Sequence, residues 1–217
     1  MSTATTHLAH HFDDAEQQFD AARLGMWLFL ATEIMFFGGL FAGYALYRFK
    51  YPDAFAAGSH HLDTWLGAIN TGVLLASSLT MALAIRAAQM SDSRGTGRLL
   101  GWTIVLGSVF LGIKGYEYYH KFEEHLVPGR SFAFPLEVET EFSQGEVELF
   151  YSFYFAMTGL HATHMVFGLV MLGVLMGLAR RGVFAAKYYT PVEMTGLYWH
   201  FVDIVWVFLF PLLYLIR

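Results

Sequence analysis

Five stretches of this chain are apolar for about the length that a bilayer's hydrocarbon core demands of a helix, and this property limits the fold more than any other. They lie at about residues 27–47, 65–85, 99–119, 149–178 and 197–216. In hydrocarbon, backbone N–H and C=O groups must be satisfied within the protein, so runs of this kind fold as helices. The expected fold class is all-α, a polytopic membrane protein built as a five-transmembrane-helix bundle. Charged residues make up 14% of the 217, against roughly a quarter in soluble domains. Once five spans are placed, no room remains for a separate soluble domain. The division expected is a polar N-terminal segment, residues 1–23, and a membrane domain, residues 24–217. The first segment lacks the basic start and short apolar core of a secretory signal.

Cysteine is absent, which excludes disulfides, iron–sulfur clusters and thiolate catalysis in this chain. A net charge of −5 argues against nucleic acid as a partner. His7, His10 and His11 stand among Asp13, Asp14, Glu16 and Asp20 and read more simply as a solvated polar segment than as a metal site. No phosphate-binding glycine loop, nucleophile elbow or His-Glu-x-x-His zinc motif occurs, so no catalytic residue and no metal ligand is assigned. No internal repeat of the transporter kind is visible either.

The polar groups inside the spans carry what chemistry there is. Glu33 lies mid-run in the first span, where a carboxyl is a functional candidate by default. It is expected to be a neutral acid bonding a neighbouring helix, with proton carriage as a compatible second role. Gly39 and Gly43 form a small-xxx-small pattern that permits close helix packing. Lys114 and Glu117, at i,i+3, can pair near the membrane interface. The fourth span holds His161 and His164, and the fifth holds His200 and Asp203 on one side of the helix. Two facing imidazoles can ligate a haem, and His164 with His200 is the one pair worth weighing. Packed, hydrogen-bonded core histidines are the favoured reading, which makes Glu33, His161, His164, His200 and Asp203 a buried polar network. Trp199 and Trp206, seven apart, share a face of the last span, and Pro211 removes one backbone donor from it.

Loop cations set the orientation. With the N-terminus inside, Arg23, Arg86, Arg94, Arg98, Arg180, Arg181 and Lys187 lie on the inner side. Arg48, Lys50, Lys121, Arg130 and Arg217 lie outside. The bias concentrates in two short inner loops, as the positive-inside rule prefers. The N-terminus is therefore expected in the cytoplasm and the C-terminus outside.

Five ordered motifs then carry a resemblance. Tyr198-Trp-His-Phe-Val-Asp-Ile-Val-Trp206 is similar to the signature of subunit III of haem–copper cytochrome oxidases. Phe29-Leu-Ala-Thr-Glu33-Ile-Met-Phe-Phe37 resembles that family's carboxylate-bearing helix, and Asn70-Thr-Gly-Val-Leu-Leu-Ala-Ser-Ser78 its next span. Gly115-Tyr-Glu-Tyr-Tyr119 and Thr158-Gly-Leu-His161-Ala-Thr-His164 resemble the end of the third helix and the helix after it. The longer members have two further N-terminal helices that form a lipid-holding cleft; this chain resembles the five-span bacterial form.

The resemblance implies a subunit without a redox centre of its own. The haems and copper would reside in partner subunits, subunit I being the direct contact. Subunit II, other small oxidase subunits, a respiratory supercomplex and membrane phospholipids are the remaining partners implied. It matches Glu33 to the family's buried carboxylate, and His161, His200 and Asp203 to its inter-helix polar positions. Arg180 or Arg181 falls where the family can place a contact to a lipid phosphate. The function expected is a non-catalytic subunit III of a proton-pumping cytochrome c oxidase in a bacterial inner membrane. It would stabilise subunit I, hold lipids and support proton uptake while the complex reduces oxygen to water. The alternatives are the equivalent subunit of a quinol oxidase, a nitric oxide reductase accessory protein, and, of a different class, an autonomous haem-binding electron carrier.

Overall fold

The computed structural model describes residues 12–136, 142–184 and 188–216, all of its long elements being helices. His7, His10 and His11, Glu137, Glu139 and Glu141 of the long loop, Lys187 and Arg217 lie outside the described residues. The helices are α1 (Ala15–Lys50), α2 (Pro52–His60), α3 (Thr64–Gln89), α4 (Ser93–Glu123), α5 (Gln144–Arg180) and α6 (Thr190–Tyr214). All but α2 are long and apolar enough to cross a membrane, making this a five-span all-α membrane protein.

Local chemistry places the helix ends. Asp14, Asp63 and Asp92 precede α1, α3 and α4, and their side chains accept from the N–H of Gln17, Leu66 and Gly95. Each satisfies one of the donors a helix start leaves open. At α5 the Ser143 N–H donates to Glu146 Oε2 at 2.8 Å, one half of a capping box. α5 ends at a turn where Gly182 has φ of 72°, a conformation that costs glycine little.

The spanning helices start before the runs read off the sequence, most of all α1, and one further helix, α2, lies outside those runs. α1 begins at Ala15, inside the polar segment, because Asp14 caps it and Ala15, Glu16, Gln17 and Gln18 favour helix. Its 36 residues extend about 54 Å, beyond the hydrocarbon layer. Between the first two apolar runs Pro52 starts a helix whose Ala54, Phe55, Gly58 and Ser59 are buried. Phe55 meets Phe150 of α5 edge-on at 5.5 Å.

The core gathers around α6. It packs against α3 and α5, while α4 packs against both of those, and α1 lies across α5 and α6. More than half of the apolar stretch of α6 is buried, 56% against 11% for α1. Trp199 and Trp206 are fully enclosed, as their shared face implied. The Trp199 indole lies where α4 and α5 each offer a glycine: a Cβ on Gly107 or Gly168 would come within 2.9 Å or 2.7 Å of the ring. The indole N–H groups of the two tryptophans donate to Ser77 Oγ at 3.1 Å and Thr71 Oγ1 at 3.0 Å, both on α3. Neighbours also cap the end of α6. The Tyr44 hydroxyl donates to the Leu212 carbonyl, and Thr64 Oγ1 to the Tyr214 carbonyl at 3.3 Å.

The glycine pair of α1 behaves unevenly. A Cβ at Gly43 would sit 3.4 Å from the Phe153 ring of α5, whereas nothing lies within 4 Å of one at Gly39. At Gly43 the close neighbour is thus a phenylalanine ring of α5.

Candidate functional site

Glu33 finds its neighbour on α5. Its Oε2 stands 3.1 Å from His164 Nε2, and both side chains are mostly shielded, with 18% and 14% of their surfaces exposed. The other ring nitrogen fixes the proton arrangement. His164 Nδ1 lies 2.9 Å from the Leu160 carbonyl, which can only accept, so Nδ1 carries a hydrogen. In a neutral ring Nε2 is then an acceptor, and the proton between the groups comes from the Glu33 carboxyl. If that proton crosses, the result is an imidazolium beside a carboxylate. In either arrangement one hydrogen lies between the two groups and joins α1 to α5. The Tyr198 hydroxyl donates to the His164 carbonyl at 3.0 Å, and Phe37 packs on the imidazole at 5.2 Å.

The remaining members of the expected network do not join into one chain. His200 Nδ1 is hydrogen-bonded to Ser78 Oγ of α3 at 2.8 Å, with Asp203 Oδ2 4.0 Å away. The Asp203 carboxyl lies beside Ser78 as well, though neither of its oxygens makes a hydrogen bond of good geometry among the described residues. His161 is enclosed between Phe110 and Trp206, with ring centroids at 5.5 and 5.2 Å, and neither ring nitrogen has a partner there. His164 and His200 are engaged with different residues on different helices. Among the described residues, no group of three or more histidine and carboxylate side chains is arranged to hold a metal.

The i,i+3 pair expected near the interface is instead buried in a bonded polar cluster. Lys114 and Glu117 of α4 are buried, each side chain 5% exposed, and lie 3.0 Å apart. Lys114 Nζ also donates to the Tyr154 hydroxyl of α5 at 3.1 Å and to the Tyr214 hydroxyl of α6 at 2.7 Å. Both hydroxyls donate in turn to Glu117 Oε1. All three ammonium protons are thereby used, and the faces of Tyr118, Tyr154, Trp206 and Tyr214 surround the cation at 5.0–5.4 Å. The signal in the sequence was the i,i+3 charge pair; the tyrosines that enclose it are 40 and 100 residues from Lys114.

Arg180 and Arg181 line a groove of about 1190 Å³ together with Arg94 and Arg98, at the end of the bundle where α4 starts and α5 stops. A smaller apolar groove of about 510 Å³ lies between α1 and α6, with His200 on its wall.

Comparison with known proteins gives a consistent picture. The model of the family described as cytochrome c oxidase subunit III matches residues 137–216. Over 205 residues the chain is 33% identical to the cytochrome c oxidase subunit 3 of Thermostichus vulcanus, covering 94% of this chain and 92% of that protein. The cytochrome c oxidase subunit 3 of Bacillus sp. (strain PS3) is 33% identical, with 88% and 84% covered. The cytochrome bo(3) ubiquinol oxidase subunit 3 of Pseudomonas aeruginosa is 30% identical over 99% of this chain and 98% of its own length.

Proposed function

The chain belongs to the cytochrome c oxidase subunit III family, and on that premise we propose that it is the scaffold subunit of a bacterial haem–copper oxidase, without a redox centre of its own. It packs against subunit I, where the haems and copper reside, and joins subunit II and the smaller subunits in one complex. That complex reduces oxygen to water and pumps protons. This subunit keeps subunit I in its working form, holds phospholipids and sustains proton uptake. It lies in the inner membrane with its N-terminus in the cytoplasm.

The observation that carries this reading is the contact of Glu33 with His164. An intramembrane carboxyl engaged with a histidine of the same bundle is a group that joins helices, as a packing subunit requires. The test is to purify the chain free of its companions and to compare the complex with and without it. The isolated chain is expected to be colourless, and the complex lacking it to keep its haem and copper while losing durability in turnover. A Soret band from the isolated chain, lost on His200→Ala, overturns the proposal in favour of a haem carrier.

A second reading, subunit III of a quinol oxidase, is favoured by the near end-to-end match to the Pseudomonas aeruginosa protein. The copurifying subunit II decides: a dicopper centre there means cytochrome c is the electron donor, and its absence means quinol.

A further inference from the structure

α6 is the most buried of the spanning helices, yet one stripe of it stays uncovered. His200, Ile204, Val207 and Pro211 fall within about 60° of one another around its axis. Ile204, Val207 and Pro211 are exposed, and the His200 side chain is 30% exposed. His200 and Ile204 also wall the apolar groove of about 510 Å³ between this helix and α1.

Two polar groups stand on the stripe, seven residues apart. His200 Nδ1 is hydrogen-bonded to Ser78 Oγ at 2.8 Å, and among the described residues Nε2 has no hydrogen-bond partner. Pro211 has no N–H, so the Val207 carbonyl lacks the donor that a regular helix supplies four residues on. Hydrocarbon offers such groups no substitute, and at a membrane proline a neighbouring helix or a hydroxyl side chain restores the bond. Within the bundle, the hydroxyls of Tyr44 and Thr64 do this for the carbonyls of Leu212 and Tyr214, further along α6.

A lipid does not meet both needs. Val207 lies ten residues into the apolar run 197–216, about 15 Å from its inner end and near the middle of the hydrocarbon layer. Headgroups do not reach that depth, and acyl chains carry no donor. A helix meets both, because its own side chains seven residues apart share a face and stand about 10 Å from each other, the spacing of His200 and Val207. Gly38 on the α1 wall leaves room for it, since a Cβ there would have nothing within 4 Å. Resting on the subunit role proposed above, we infer that this stripe receives a transmembrane helix of a neighbouring subunit bearing two hydroxyl or amide side chains seven residues apart. One bonds His200 Nε2 and the other donates to the Val207 carbonyl, while the body of that helix fills the groove beside Gly38.

The experiment uses the whole oxidase complex with a benzophenone amino acid at Ile204 or Phe208, both of which line the groove. Photo-adducts are mapped by mass spectrometry. Both positions are expected to label one transmembrane segment of another subunit, at sites about one turn apart, and that segment to carry the paired polar residues. Release of the labelled subunit in detergent is the second measurement. His200→Phe keeps a ring and loses Nε2, and is expected to speed release roughly tenfold; Ser78→Ala removes only the internal bond and is expected to leave the rate within about twofold. Adducts with lipid alone, or with a second copy of this chain, overturn the inference and leave the subunit role intact. A labelled segment without paired polar residues, or equal release from the two variants, overturns it as well. A chain that purifies with no companion subunit overturns the role itself.

Discussion

His164 Nε2 lies 3.1 Å from Glu33 Oε2, and this contact ties the most exposed spanning helix, α1, to the interior of the bundle. Because His164 already spends Nδ1 on the Leu160 carbonyl, Glu33 must supply the shared proton whenever the ring is neutral. With a neutral ring, the side chain at position 33 therefore needs a donor. Glu33→Gln supplies one from its amide, and the complex is expected to assemble and melt within a degree or two of the parent. Glu33→Leu leaves Nε2 shielded and unpaired, at a cost of about 1–3 kcal/mol. Thermal unfolding of the purified complex separates the two. Turnover and its durability in the Gln variant test the proton role, which fails if both are unchanged.

The two core histidines of α5 are expected to behave oppositely. His161 has no hydrogen-bond partner among the described residues and sits between aromatic rings, so His161→Phe is expected to change stability by less than about 1 kcal/mol. His164→Phe breaks the link to α1 and is expected to cost about 1–3 kcal/mol. Melting curves of the two variants showing equal losses would mean that the His161 ring nitrogens are engaged by something outside this chain.

Removing one member of the Lys114–Glu117 pair strands a buried charge among the tyrosines. Lys114→Met is expected to cost about 3–5 kcal/mol, enough to lower the yield of assembled complex sharply. The double variant Lys114→Met/Glu117→Met removes both charges and is expected to recover most of the loss. A double variant as unstable as the single one would show that the tyrosine hydroxyls depend on the ion pair for their own satisfaction.

Trp199 depends on two absent side chains. Gly168→Ala places a Cβ 2.7 Å from the indole, and Gly107→Ala places one 2.9 Å from its far edge. Each is expected to destabilise by about 1–3 kcal/mol through overpacking. Trp199→Phe should partly rescue either variant. Thermal melts of the single and combined variants check this, and additive losses would show that the ring is not the obstacle.

Much of this arrangement was legible in the sequence, since the hydrocarbon layer leaves so few alternatives. The five apolar runs became five helices, and the seven-residue spacing of Trp199 and Trp206 put both indoles on the face that α3 receives. Glu33 was visible as an acid that needed a partner. That the partner is His164, and not His161 one turn earlier, depends on how α1 crosses α5, which no local pattern encodes. Lys114 and Glu117 were visible as a pair, but their burial follows from Tyr154 and Tyr214 converging from two other helices. The short helix α2 escaped notice because Asp53, His60 and His61 made its surroundings look like loop, hiding the narrow apolar strip of Ala54 and Phe55.

The placement of α6 has a consequence for how the bundle is made. The helix that α3 and α5 both clasp is synthesised after every helix that packs on it. Until it emerges, Gly107 and Gly168 face an unfilled trough and the Lys114 ammonium lacks the Tyr214 hydroxyl. A chain halted before this point would lack the helix that covers these polar groups.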